Sequence, residues 1–139
     1  MFIPVDQLII RLLIATILGG LIGLEREYRH KEAGLRTNML VALGSALAMI
    51  ISTSFEVDPA RIASGIITGI GFLGGGIIIQ SRGEVHGITT AATIWVVATV
   101  GMAAGLGYIT AALATTAIAL VVLYILGNAK IRLFTKLND

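Results

Sequence analysis

The densest group of charged side chains lies between Leu24 and Thr37. It comprises Glu25, Arg26, Glu27, Arg29, Lys31, Glu32 and Arg36, and a second polar break carries Arg82, Glu84 and His86. Two ligand chemistries are open to this set. Glu25, Glu27 and Glu84 offer carboxylate oxygens of the kind a hard cation such as magnesium takes together with waters. The arginines lie beside two expected helix starts, at Arg36-Thr37 and at Thr89-Thr90, and a helix N-terminus flanked by arginine suits an anion instead. The two uses compete, and residue types alone do not choose between them. A third reading is an interfacial charge belt that only fixes orientation.

The glycines pose a separate question. Thr68 to Gln80 reads TGIGFLGGGIIIQ and contains a literal GxGxxG. A dinucleotide-binding turn needs a short strand before it, a helix after it and an acidic residue about 20 positions on. Here the flanks are continuous apolar sequence from Ile62 to Ile79, and Ile94-Trp95 stands where the acid would be. The phosphate-loop reading is therefore set aside. Enzyme chemistry finds little else. The chain has no cysteine and two histidines, His30 and His86, which leaves no thiolate site and little for zinc. No nucleophile–base pair stands out. Ser45, Ser52, Ser54 and Ser64 read as helix-packing or interface residues, and His86 as an interfacial polar residue. The expectation is a protein that is not an enzyme and has no cofactor, with magnesium as the one candidate ion.

What must position these residues is a membrane bundle. The 139 residues are 56% hydrophobic and 13% charged, with a mean hydropathy of +0.93, whereas a soluble domain is about a quarter charged. Five apolar blocks run roughly Leu8–Leu24, Asn38–Phe55, Ile62–Ile79, Thr89–Leu106 and Tyr108–Gly127. Each is long enough to cross about 30 Å of hydrocarbon as a helix. The fold class expected is an all-α integral membrane protein, a bundle of five transmembrane helices over residues 1–127, followed by a short basic tail, 128–139. Met1–Leu24 lacks the basic start and the cleavage site of a signal peptide. Arg26, Arg29, Lys31, Arg36, Arg82 and the tail's Lys130, Arg132 and Lys136 fall on one side. The positive-inside rule makes that side cytoplasmic and puts the N-terminus outside, with Arg11 snorkelling back to the outer surface. Gly105-Leu106-Gly107 forces a tight hairpin, and Asp58-Pro59, with Arg61 beyond it, marks an outer turn. Gly34-Leu35-Arg36-Thr37 and Gly87-Ile88-Thr89-Thr90 hint at a parallel repeat of helix pairs.

On a helical wheel, Ser64, Gly65, Thr68, Gly69, Gly71, Gly75 and Gly76 share one arc of the third helix, interrupted by Phe72. Ile66, Ile67, Ile70, Leu73 and Ile77, with Gly74, take the other. In lipid, small residues let helix backbones approach, and each glycine costs roughly 1 kcal/mol of helix propensity against alanine. The glycine arc is therefore expected to face protein and the isoleucine arc lipid. Helix one repeats the device at Ala15, Gly19 and Gly23. The alternative is that Gly74-Gly75-Gly76 breaks the helix near an ion site.

Four segments carry a family likeness: LIGLERE (Leu21–Glu27), AGLRT (Ala33–Thr37), DPARIASGIITGIGFLGGGIII (Asp58–Ile79) and VHGITTAATIW (Val85–Trp95). In this order they resemble the membrane domain of the MgtC/SapB family, over about Leu8 to Tyr124. Glu25, Arg26, Glu27, Arg36, Thr37, Asp58, Arg61, Gly69–Gly76, Thr89, Thr90 and Trp95 match its motifs by position. The resemblance implies a multi-pass protein of the bacterial inner membrane, linked to growth under magnesium limitation. MgtC-type members carry a soluble C-terminal domain. Here the sequence stops twelve residues beyond Gly127, as in the short, SapB-like form or after removal of that domain.

The functional expectation is a membrane-embedded regulator or partner-binding protein that self-associates or binds another membrane protein, with lipid around it and no nucleic acid. The alternative is a magnesium or divalent-cation transporter or channel. Spans free of interior Asp or Glu weaken the second reading, because ion pathways commonly carry such groups. The cytoplasmic cluster (Glu25, Arg26, Glu27, Arg36, Thr37, Arg82, Thr89 and Thr90) is expected to carry function. Its ion pairs are expected to be exposed and worth about 0–1 kcal/mol each, so that neutralising Glu25 or Arg36 spares the fold.

Overall fold

The structure is a computed structural model, and it describes residues 3–53, 58–81 and 84–127. Arg82, Ser54, Glu56 and the tail 128–139 lie outside the described residues, as do the side chains of Gln80 and Glu84. Five helices, α1 (Val5–Tyr28), α2 (Leu35–Ser52), α3 (Pro59–Ile77), α4 (Ile88–Leu106) and α5 (Ile109–Val121), follow in order, and α5 continues as a π-helical turn, Val122–Leu126. All five, the last counted with its π turn, are long and apolar enough to cross a membrane. The sequence reading missed two short strands, β1 (Ile79–Ser81) and β2 (Glu84–His86). They pair antiparallel, with Ile79 opposite His86 and Ser81 opposite Glu84. This hairpin satisfies the backbone of a polar link between two spans.

Local signals set the helix ends. Asp58 accepts a hydrogen bond from the Ala60 amide at 2.9 Å, and Pro59 takes the first helical position of α3, where its missing N–H costs nothing. Replacing Asp58 by alanine should remove about 0.5–2 kcal/mol, read as a lower unfolding midpoint in detergent. At the turn of the bundle's last hairpin, on the same side as Asp58, Gly107 adopts φ +87°. The Tyr108 amide donates to the Ala103 carbonyl at 2.9 Å and Gly107 to Ala104 at 3.0 Å, a Schellman closure that lets α5 turn straight back. Arg11 does not simply snorkel. Its Nη1 donates to the Gly105 carbonyl at 3.0 Å, placing a cation on the C-terminal end of the α4 dipole.

Helix α4 is the centre of the bundle, with half of its spanning window buried, against 6% for α3. Ala15 and Leu18 of α1, Ala46 of α2, Val100 and Ala104 of α4 and Ala112 of α5 form one apolar cluster. Ile22, Ala42 and Val97 form a second. Close packing depends on glycine here, as expected for α1. A Cβ on Gly19 would lie 2.6 Å from the Asn38 carbonyl oxygen, and one on Gly23 would lie 2.8 Å from the Leu35 Cα. The decisive pair is elsewhere, at Gly101 and Gly105 of α4, where added Cβ atoms would strike the backbone of Ala42 and Ala46.

The faces of α3 are the reverse of the expectation within this chain. Ile70 and Gly74 are its buried residues, and a Cβ on Gly74 would meet the Ala91 Cβ at 3.4 Å. Ile70 joins Ala33, Ile94 and Ala98 in the third apolar cluster. Gly65, Gly69, Gly71, Gly75 and Gly76 have nothing within 4 Å of an added Cβ. The reason is that α4 offers Ile94 and Ala98, whose bulk interlocks with isoleucine rather than with a flat glycine surface. The helix is also unbroken through Gly74-Gly75-Gly76 and ends at Ile77, so the mid-membrane break is not formed.

Candidate functional site

The charged residues gather at the end of the bundle where α1 ends, α2 and α4 begin and α5 finishes. Arg26 is the least expected of them. Its residue is only 3% exposed, because it falls on the face of α1 that carries Ile22 and Gly23 into the bundle. Its Nε and Nη2 both contact Glu25 Oε2, and the other oxygen of Glu25 is paired with Arg29 Nε one turn on. Two guanidinium groups thus share one carboxylate. Arg29 also donates through Nη2 to the Tyr124 carbonyl at 3.3 Å and stands 5.9 Å from the Tyr124 ring centroid, within cation–π range. The end of α5 is thereby fastened to the end of α1.

The link from α1 to α2 is held from both sides. Glu27 Oε2 accepts from the Leu35 amide at 2.7 Å, satisfying one of the orphan donors at the start of α2. Changing Glu27 to alanine should cost about 1 kcal/mol, measurable as a lower midpoint in thermal unfolding of the purified protein. Asn38, fully buried, donates through Nδ2 to the Ala33 carbonyl at 2.9 Å and the Gly34 carbonyl at 2.8 Å. Its Oδ1 is buried without a hydrogen bond among the described residues. Gly34 and Gly87 precede α2 and α4 at corresponding places, but their φ angles are −87° and +86°, so the repeat hinted at by sequence does not extend to their backbone.

Helix α4 is tied to the same link. The Thr90 hydroxyl, on a buried residue, donates to Glu32 Oε2 at 2.8 Å. A backbone hydrogen bond at Glu32, then the Thr90 bond, hold the Glu32 carboxyl below its ordinary value, with Lys31 and His86 adding to the effect and burial opposing it. A carboxylate whose folded pKa is depressed stabilises the fold above its unfolded pKa. That contribution is lost as pH falls through the lower, folded value. The α1–α2 link should therefore loosen from α4 in the acid range and not near neutrality.

This geometry sorts the sequence candidates. Glu25, Arg26, Glu27, Thr90 and, with them, Glu32 and Asn38 form the scaffold of the charged end. Arg36, Thr37 and Thr89 are exposed on its surface. Asp58 and Arg61 lie at the opposite end of α3, both exposed. Among the described residues, no group of three or more His, Asp or Glu side chains is placed to hold a metal ion. Glu25 and Glu27 are engaged separately, one with arginines and one with a backbone amide. No local pattern marks Asn38 as a staple. The Gly101–Gly105 spacing, by contrast, is the same four-residue interval that marked Gly19 and Gly23.

Comparison with known proteins then decides the family. The MgtC family matches residues 12–131. The chain belongs to the MgtC family. A relative from Salmonella typhimurium (strain LT2), called Protein MgtC, is 50% identical over 113 residues, covering 81% of this chain and 49% of the relative. The protein of the same name from Brucella abortus (strain 2308) is 50% identical over 104 residues, covering 73% of this chain and 44% of its own length. The chain therefore spans about half the length of these MgtC relatives. No solved structure matches it. Membership and the five apolar helices make this a multi-pass membrane protein.

Proposed function

We propose that this member of the MgtC family is a non-enzymatic regulator of the bacterial inner membrane, linked to magnesium homeostasis, that works by binding another membrane protein at its charged end. In this reading the charged end is cytoplasmic and the N-terminus lies outside, as the lysine and arginine asymmetry favours. The observation that carries it is how the charges are used. Glu25, Glu27 and Glu32 are spent on arginines, a helix start and Thr90, which leaves a braced platform with Arg36, Thr37 and Thr89 facing outward. Such a surface suits recognition more than conduction. Among the described residues Arg26 is the one charged residue that is buried, and it lies at the charged end rather than along the interior of a span, so a transporter or channel finds less support.

The test is growth under magnesium limitation in cells that depend on this protein. Arg36→Gln touches none of the bracing contacts, so it should leave membrane insertion and unfolding midpoint unchanged while removing most complementation. Full complementation by Arg36→Gln and by Thr37→Val would reject the platform.

A further inference from the structure

We propose that two copies of this chain pair through α3, each copy laying its α3 into the groove between α2 and α3 of the other. The groove is a membrane-facing concavity of about 400 Å³, walled by Leu40, Val41, Gly44 and Ser45 of α2 and by Ile66 and Gly69 of α3. It opens because α2 and α3 both pack on α4 and barely touch each other. Gly44 and Gly69 have nothing within 4 Å of an added Cβ, so both walls let another helix backbone come close.

Ser45 separates protein from lipid as the occupant. It lines this groove and is 5% exposed, yet its hydroxyl makes no hydrogen bond among the described residues. Thr16, Thr93 and Thr116, on the other spans, each donate to the carbonyl four residues back. An unpaired hydroxyl at membrane depth is costly. An acyl chain offers it no acceptor, whereas an approaching helix brings carbonyl oxygens and polar side chains such as Ser64 and Thr68, both exposed on α3.

The identity of that helix follows from self-complementarity. The structure supplies on one helix both a groove wall and an open glycine ridge, Gly65, Gly69, Gly71, Gly75 and Gly76. A two-fold axis along the membrane normal fills both grooves with one operation and closes the assembly. The same axis sets like depths side by side, so Arg61 of one copy comes within reach of Asp58 of the other, twice. In the single chain both residues are exposed, and neither forms an ion pair among the described residues. A helix of another protein would have to reproduce this charge pattern independently.

The sequence contains no cysteine, which permits single-cysteine cross-linking of the full chain in native membranes. Gly69→Cys and Gly65→Cys should give an oxidative band at twice the chain mass, and Ile118→Cys, on the exposed face of α5, should not. In lipid vesicles, energy transfer between labelled copies on dilution should report at least tenfold weaker association for Gly69→Leu and several-fold weaker for Ser45→Ala, with helicity unchanged. If Gly69→Leu lowers the yield, Gly69→Ala serves in its place, since the single chain has room for a methyl there. The pairing is overturned by absence of the doubled band at both glycines. Equal bands at Ile118, a cross-link of other mass, or association unaffected by Gly69→Ala and Ser45→Ala would overturn it too.

Discussion

Leucine at Gly101 is expected to abolish the folded bundle. A Cβ at this position strikes the carbonyl, Cα and carbonyl carbon of Ala42, and one turn later a Cβ on Gly105 would lie 2.5 Å from the Ala46 oxygen. These obstacles are backbone, so no rotamer change relieves them. Helix α2 cannot retreat, because its other side rests on Gly19 and Gly23 of α1 at equally short range. Overpacking a core commonly costs about 1–3 kcal/mol and occasionally more, and a four-carbon branch forced between two backbones belongs at or beyond the top of that range. Domains have only about 5–15 kcal/mol in all. Gly101→Leu should give no monodisperse protein in detergent, and Gly101→Ala a clearly lowered unfolding midpoint. Ala114→Leu, at an exposed position of α5, should keep the wild-type midpoint. A wild-type midpoint for Gly101→Leu would remove α2–α4 contact from its place at the centre of the fold.

Glu25→Gln is expected to cost about 3–5 kcal/mol, because it strands a buried cation. The Arg26 side chain is 4% exposed and Glu25 12%, and Glu25 serves Arg29 as well. This corrects the sequence expectation that the rim pairs are exposed and individually weak. The corollary distinguishes a pairing effect from simple loss of a side chain. Combining Glu25→Gln with Arg26→Met should recover a large part of the loss, since a buried pair can be replaced by apolar packing at little net cost. Thermal or denaturant unfolding in detergent reads both variants. A double variant no more stable than Glu25→Gln alone would contradict the pairing. Loss of low-magnesium growth in Glu25→Gln therefore reports unfolding first, and Arg36→Gln is the cleaner functional probe.

Span number and approximate span positions were legible because hydrocarbon leaves a chain few options and composition shows them directly. Asp58-Pro59 and Gly105–Gly107 could be read as turns because capping and φ > 0 are local requirements. Which face of α3 meets α4 could not be read, since the wheel shows where small residues lie but not which neighbour has matching relief. The same limit hid Arg26. Its type says surface, and only the rotation of α1, set by Gly19 and Gly23 against α2, carries it inward. Glu32 and Thr90 are 58 residues apart, a pairing that no local pattern predicts. The β1–β2 hairpin escaped because its strands have three residues each, too few to show a period.

Under the proposed function this protein acts on a partner through its charged end and does not itself conduct magnesium. The most direct measurement is flux into liposomes holding a magnesium-sensing dye, made with the purified chain and repeated with Arg36→Gln and Gly75→Leu. No flux above empty liposomes is expected for any of the three, while Arg36→Gln alone fails in low-magnesium growth. Robust flux from the wild-type chain, unchanged by Arg36→Gln and abolished by Gly75→Leu, would contradict it and establish a pore.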